Sequence, residues 1–156
     1  MRAVVALSTV AVVLATLAAL TEGFQPRRIM FARCSSEDPV PRGVFMSCAN
    51  RRGVCEVRIG QTHILRAIFI PQINSTDVDS YVRWNSWVEL PLPDQRRDAC
   101  DGEINCPVVA GVATQFTYSL DIQDFWLRDE YPVIWSLTDR ETDTPIVCFK
   151  FKINIV

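Results

Sequence analysis

The chain has little of what most enzymes use. Its 156 residues include a single histidine, His63, and its only lysines are Lys150 and Lys152, so general-base and Schiff-base chemistry have few candidates. No GxSxG, HExxH or glycine-rich phosphate loop occurs, and no CxxC pair offers zinc-type spacing. The carboxylates are scattered through loop-like stretches, with no spacing that sets up a hydrolytic pair. No catalytic residue, metal site or cofactor is expected. His63 shares a strand face with Leu65, which suits a packed or rim histidine. A net charge of −2 and a pI near 5.4 exclude a general nucleic-acid binder, whose affinity comes mainly from neutralising phosphates. Downstream of the leader no apolar run could span a bilayer, and there is no internal repeat, low-complexity tract or sustained helical stripe.

What is present begins with that leader. Met1-Arg2 precedes an apolar stretch, AVVALSTVAVVLATLAAL, that exits at the small-residue segment Thr21-Glu22-Gly23. This is the layout of a secretory signal peptide over residues 1–23. A membrane anchor is the rival reading, because the run approaches spanning length; no basic stop-transfer cluster directly follows Leu20, which favours cleavage. Residues 24–156 then form a single domain of about 130 residues, enough for one core. The expected destination is extracellular, with lysosomal delivery the alternative.

All six cysteines lie beyond the leader: Cys34, Cys48, Cys55, Cys100, Cys106 and Cys148. An even set in an exported chain reads as a disulfide framework. Cys48 and Cys55 are close in sequence, as are Cys100 and Cys106. Local bonding of those pairs would leave Cys34 and Cys148 to tie one end of the domain to the other. Spacing alone leaves 15 connectivities open.

The mature region has period-2 patterning, the mark of strands with one wet face. Thr62 to Ile70 places His63, Leu65, Ala67 and Phe69 on one face. Tyr81 to Leu90 reads as one strand, with Val82, Trp84, Val88 and Leu90 together. Phe116 to Ile122 groups Phe116, Tyr118, Leu120 and Ile122. Tyr131 to Leu137 groups Tyr131, Val133, Trp135 and Leu137, and Val147 to Ile155 groups Val147, Phe149, Phe151, Ile153 and Ile155. Turn chemistry separates them at 71–79, 91–101 and 139–145. Short strands joined by such loops predict an all-β fold, a sandwich or barrel. With the cysteines placed in loops and at chain ends, an antibody-type domain with a core inter-sheet disulfide is disfavoured. Asn74-Ser75-Thr76 is an N-glycosylation acceptor in a polar loop.

Large apolar residues, Trp84, Trp87, Trp126 and Trp135 among them, suffice for an ordinary sandwich core. They would also suit inner faces that part around an apolar cavity and take a lipid. Gln123 to Arg128, QDFWLR, sets large apolar residues beside charges in a loop, as at a cavity mouth or membrane-touching rim.

Three stretches together resemble the ML lipid-recognition domain family, which includes mite group two allergens and Niemann–Pick type C sterol carriers. They are Asp98-Ala99-Cys100, Cys106-Pro107-Val108-Val109-Ala110-Gly111 and Phe116-Thr117-Tyr118-Ser119-Leu120. Cys55 to Gln61 (CEVRIGQ) and Trp135 to Asp139 followed by Val147-Cys148-Phe149 extend the likeness over nearly all of the mature chain. The resemblance implies an immunoglobulin-like β-sandwich of two antiparallel sheets with an internal apolar cavity. It also implies disulfides Cys34–Cys148, Cys48–Cys55 and Cys100–Cys106, and a sterol or fatty acyl chain held between the sheets.

The chain departs from the family between Cys34 and Cys48, where SSEDPVPRGVFMSC leaves the first strand unplaced. Two registers compete further on. One equates Tyr131 with the carrier tyrosine near the pocket mouth. The other runs without gaps against the mite allergens from Thr117 and puts Ile122, Phe125 and Trp126 at that mouth; it is favoured because it needs no deletion. Leu90-Pro91-Leu92-Pro93 resembles the stretch that closes the carrier pocket.

The function this implies is that of a secreted, monomeric, non-enzymatic lipid carrier that passes its ligand to a membrane or receptor. The candidate lining residues are Leu65, Phe69, Trp84, Val88, Leu90, Tyr118, Leu120, Ile122, Phe125, Trp126, Val133, Phe149 and Phe151, about half of them expected only to pack the core. The alternative is an innate-immune module that binds bacterial glycolipid through Arg51-Arg52, Arg96-Arg97 and Arg128 at the rim. The leader reading has a direct check: N-terminal sequencing of the secreted protein should find a chain starting just after Gly23, and a start at Met1 would refute it.

Overall fold

The computed structural model describes residues 26–85, 88–93 and 95–156, so the leader and Trp87 lie outside the described residues. Ten strands form, and the described residues contain no helix: β1 (Arg27–Arg28), β2 (Ala32–Arg33), β3 (Gly43–Met46), β4 (Cys55–Val57), β5 (Thr62–Phe69), β6 (Val78–Asn85), β7 (Glu89–Pro91), β8 (Thr114–Asp121), β9 (Glu130–Asp139) and β10 (Pro145–Ile155). One sheet has the order β1-β3-β5-β8. The other has the order β2-β10-β9-β6-β7, with β4 joining along β10. Every pairing is antiparallel except β4 on β10, where Cys55 opposes Ile153 in a parallel register.

The alternation read in the sequence becomes the inner faces. Leu65, Ala67 and Phe69 from β5, with Phe116 and Leu120 from β8, face Val133, Trp135 and Leu137 from β9 and Phe149, Phe151 and Ile153 from β10; all are buried. Branched and aromatic side chains favour such half-buried pleated surfaces. Trp135 sits at the centre. Phe116 and Tyr118 from the opposite sheet meet its ring edge-on, at 5.6 and 4.8 Å between centroids. Its Nε1–H donates to Ser80 Oγ at 3.0 Å, so the buried indole leaves no polar atom unpaired.

Two readings are corrected. Tyr81 to Leu90 is a hairpin rather than one strand: β6 turns back into β7, with Trp84 opposite Leu90 and Asn85 opposite Glu89. The alternation persisted because a reversal with even spacing keeps the same residues on one face. The cysteines are also not confined to loops and chain ends, since Cys55 opens β4 and Cys148 lies inside β10. The unplaced first strand is β3, which pairs Gly43–Met46 with Ile68–Leu65 of β5.

The chain crosses between the sheets along both sides. On one side β1 belongs to the first sheet and β2 to the second, and buried Ile29 lies between them. The same side carries the step from β3 to β4, bridged by Cys48–Cys55. On the other side the segment after β7 runs alongside β6 and on to β8. Leu92 N–H donates to Val82 O and Ser80 N–H to Arg97 O at the β6 end, and Thr117 N–H donates to Glu103 O at the β8 end. Cys100–Cys106 closes that crossing. Cys34–Cys148 anchors the chain after β2 to β10 across 114 residues.

The long bond should matter most. In the chain-entropy model a loop of that size contributes on the order of 4–5 kcal/mol, against about 2 kcal/mol for each of the short loops. Denaturant titration of the Cys34→Ser/Cys148→Ser double variant should show roughly twice the stability loss of Cys100→Ser/Cys106→Ser; equal losses would contradict the loop-size account.

Candidate functional site

The end of the sandwich that holds the 58–61 and 122–129 connections and Val88 carries most of the exposed large apolar residues among the described ones. Ile59, Val88, Leu90, Phe125, Leu127 and the terminal Val156 are all there. Beneath them is an aromatic cluster. Trp84 of β6 lies 6.2 Å from Trp126 and 5.3 Å from Tyr131, and Trp126 meets Tyr131 edge-on at 5.4 Å between centroids. Tyr131 Oη donates to Leu127 O at 3.0 Å, which holds the 123–129 loop over the cluster. The loop is further fixed where Trp126 N–H donates to Gln123 O and Ile155 N–H donates to Asp129 O. The Trp126 indole N–H is buried with no acceptor among the described residues.

Against this cluster lies a pocket of about 90 Å³ bounded by Leu92, Pro93, Tyr118, Leu120, Phe125 and Trp126, with Ser119, Asp121 and Gln123 giving it a polar rim. It sits on the seam where the β8 edge of one sheet approaches the β7 edge of the other. β8 pairs with β5 and β7 pairs with β6; among the described residues no backbone hydrogen bond joins β7 to β8. Among the described residues the seam at this end is closed by side-chain packing.

Of the candidate lining residues, Trp84, Tyr118, Leu120 and Trp126 come together at this pocket or its cluster. Ile122 is buried beside it, where its backbone exchanges hydrogen bonds with Gly60 and Gln61. Leu65, Val133, Phe149 and Phe151 are buried in the inter-sheet core. Phe69 is also buried, but it pairs with Thr114, at the far end of β5 from Thr62 and Asp121, so the structure places it away from the pocket. Val88 and Leu90, grouped by alternation with buried Val82, are 66% and 44% exposed, and Phe125 is 58% exposed in its loop. The edge hairpin explains the first two, since β7 has no strand beyond it. Phe125 nevertheless contributes its ring to the pocket wall. Tyr131 and Trp126, which the two competing registers put at the mouth, are in contact. Leu92 and Pro93 line the pocket although neither was a lining candidate; the Pro-rich stretch was the available signal.

Sequence reasoning missed Glu103. It lies where the 92–106 crossing meets β8, and its side chain is only 2% exposed. Neither carboxyl oxygen accepts a hydrogen bond from any described residue. Arg96 Nη2 stands 3.4 Å from Oε1. Burial pushes the carboxyl pKa up to about 7; Arg96 opposes that shift, and Asp101 and Asp98 add to it. Tyr118 is raised in turn, first by burial and then by the charge of Glu103. His63 is lowered by burial, and its Nδ1 lies 3.2 Å from Ser47 Oγ. The basic residues do not gather at the pocket. Arg97 stacks on Tyr81 at 5.1 Å, Arg96 faces Glu103, and Arg51-Arg52 and Arg128 sit on separate exposed loops.

Two sheets closed over a shared core define an immunoglobulin-like β-sandwich. Within that class the chain belongs to the ML domain family, whose model matches residues 28–155. The Niemann-Pick type C2 protein from Japanese carpenter ant is similar in structure, with a TM-score of 0.73 at 18% identity over 82% of this chain and 100% of that one. The C-terminal domain of wzt reaches 0.56 at 13% identity, over 86% of this chain and 81% of that one. Chicken MD-1 complexed with lipid IVa reaches 0.46 at 11% identity, over 83% of this chain and 96% of that one. At these identities the likenesses show the fold alone. No curated protein sequence matches the chain.

The raised Glu103 carboxyl has a consequence for stability. The folded state holds this proton up to about pH 7 while the unfolded chain releases it near the ordinary 4.5, so folding gains as pH falls through that window. Replacing Glu103 with Gln should therefore stabilise the protein near pH 8 by roughly 1–3 kcal/mol and make little difference near pH 4. Thermal unfolding of both proteins across pH checks this; a constant offset would show that Glu103 does not titrate differently on folding.

Proposed function

We propose that the protein is a secreted, non-enzymatic carrier that holds a sterol, fatty acid or other lipid between its two sheets, entered through the seam of β7 and β8. The aromatic pocket on a seam without backbone pairing carries this reading. A pocket of about 90 Å³ is small beside the several hundred Å³ that lipid-sized ligands fill, so binding requires the seam to widen. It can do so by displacing side chains and the 123–129 loop, with every strand pair left intact. Each Å² of apolar ligand surface then withdrawn from water contributes about 25 cal/mol.

The relatives support the same class. The chain belongs to the ML domain family, which its sequence likeness ties to lipid recognition, and a structural neighbour is a Niemann-Pick type C2 protein. Three disulfides suit an oxidising, extracellular compartment. Asn74 is exposed, with its Oδ1 accepting from Ala110 N–H, and we take it as the glycan site. The receiving partner is a membrane or a receptor.

Mass spectrometry of organic extracts from the purified protein should recover a co-purifying lipid, and delipidated protein should take up a fluorescent sterol or fatty acid. Trp126→Ala should weaken that uptake by about tenfold. Protein that yields no lipid and takes up neither probe would defeat the carrier reading.

A further inference from the structure

A second cavity, of about 520 Å³, lies on the outer face of the first sheet and shares no lining residue with the seam pocket. Strand register decides which side chains face it. Ile104 bridges Phe116, and both are buried, so their neighbours Glu103, Asn105, Gln115 and Thr117 turn to the opposite, outward side. All four line the cavity. Glu103 is its deep member: the side chain is 2% exposed, and neither oxygen accepts a hydrogen bond from any described residue. Buried acceptors without donors are costly and uncommon, which makes this carboxyl a place for a donor that the described residues do not supply. Beside it the Gln115 amide donates to Thr117 Oγ1 at 3.3 Å, and exposed Val109 and Val112 form an apolar wall.

A second bridge brings the glycosylation acceptor to that wall. Ser75 and Val108 exchange backbone hydrogen bonds and are both buried, which sets Asn74 opposite Val109 on the exposed side. Asn74 Oδ1 accepts from Ala110 N–H at 2.8 Å, so the side chain is pinned and Nδ2, the atom that carries a glycan, remains for it.

We propose that this cavity is a saccharide site and that the first sugars of the Asn74 glycan fill it. The N-acetylglucosamine units at the base of such a glycan are uncharged. Their hydroxyl and amide N–H groups donate to the Glu103 carboxyl, and their C–H faces cover Val109 and Val112. An anionic sugar would meet Glu103 with Asp98 and Asp101 nearby, and a cationic one would meet Arg96, 3.4 Å from the carboxyl. A polar cavity open to water holds a free sugar weakly, but a covalent tether supplies that sugar at an effective concentration of about millimolar or more. The site is independent of lipid carriage.

N,N′-diacetylchitobiose, the disaccharide at the base of such a glycan, is the probe, read by saturation-transfer NMR at pH 8, above the raised Glu103 pKa. Thr76→Ala removes the acceptor motif and keeps Asn74 in place, so its open cavity should bind the probe. Adding Glu103→Gln, with folding checked by thermal unfolding, should weaken that binding about tenfold. Glycosylated wild type should not bind the probe, because its own sugars occupy the site. Equal binding by wild type and Thr76→Ala, or a wild type with no glycan on Asn74, would overturn the glycan as occupant and assign the cavity to an external saccharide. No binding by Thr76→Ala, or binding that Glu103→Gln leaves unchanged, would overturn the saccharide site itself.

Discussion

The structure depends on the chain changing sheets along both long sides of the sandwich, and on those crossings being held. Along one side the crossings from β1 to β2 and from β3 to β4 bring the chain onto β10, secured by Cys48–Cys55 and Cys34–Cys148. Along the other, residues 92–106 hydrogen-bond to β6 and then to β8, closed by Cys100–Cys106. Two sheets in face contact are otherwise held only by apolar packing, which is strong but non-directional. The crossings fix which faces meet, and so bring Phe116 and Tyr118 onto Trp135.

With the sides fixed, the two ends differ in kind. At the 70–77 and 139–144 end the connections are tied by directed polar contacts. Arg140 reaches Asp79 at 2.6 Å and Asp98 at 3.0 Å, Asp139 collects three donors, and Ser75 and Val108 exchange backbone hydrogen bonds. Exposed ion pairs are individually weak, but here they supplement a backbone network that fixes the loops. At the other end Trp84, Trp126 and Tyr131 close the seam by contact, and the adjacent loops expose Phe125 and Leu127. Polar networks break all at once, whereas apolar contacts can be exchanged for those of a ligand. One end is built to hold and the other to yield.

Much of this could be read from the residues. Strict alternation located β5, β8, β9 and β10, because each of these strands has one face in the core and period 2 is a direct record of that. The ladder-free seam could not be read, since it depends on which strands fall at sheet edges, and edge position leaves no local pattern. The pairing of β6 with β7 was hidden for a related reason: Trp84 and Leu90 keep the same parity whether the chain continues or turns back. Asn85-Ser86 was the turn chemistry available there. Glu103 was illegible in a stronger sense. An isolated acid between Gly102 and Ile104 looks like loop solvation, and only the meeting of the crossing with β8 and Arg96 buries it.

The expectation of an internal apolar cavity takes a different physical form in the structure. Among the described residues the inner faces are filled, with Trp135, Phe69, Phe116 and Phe149 fully buried, and the pocket lies at the seam. A standing lipid-sized cavity would forfeit dispersion contacts along all its walls. A closed seam keeps those contacts until a ligand replaces them. Exposing about 200 Å² of aromatic surface to water costs about 5 kcal/mol, and a lipid that covers the same surface returns it. The disulfide-held crossings let the seam move without loosening the sheets, because none of the three bonds spans β7 to β8. On the proposed carrier reading, carriage and release reduce to one exchange, ligand surface for protein surface, at the seam of β7 and β8.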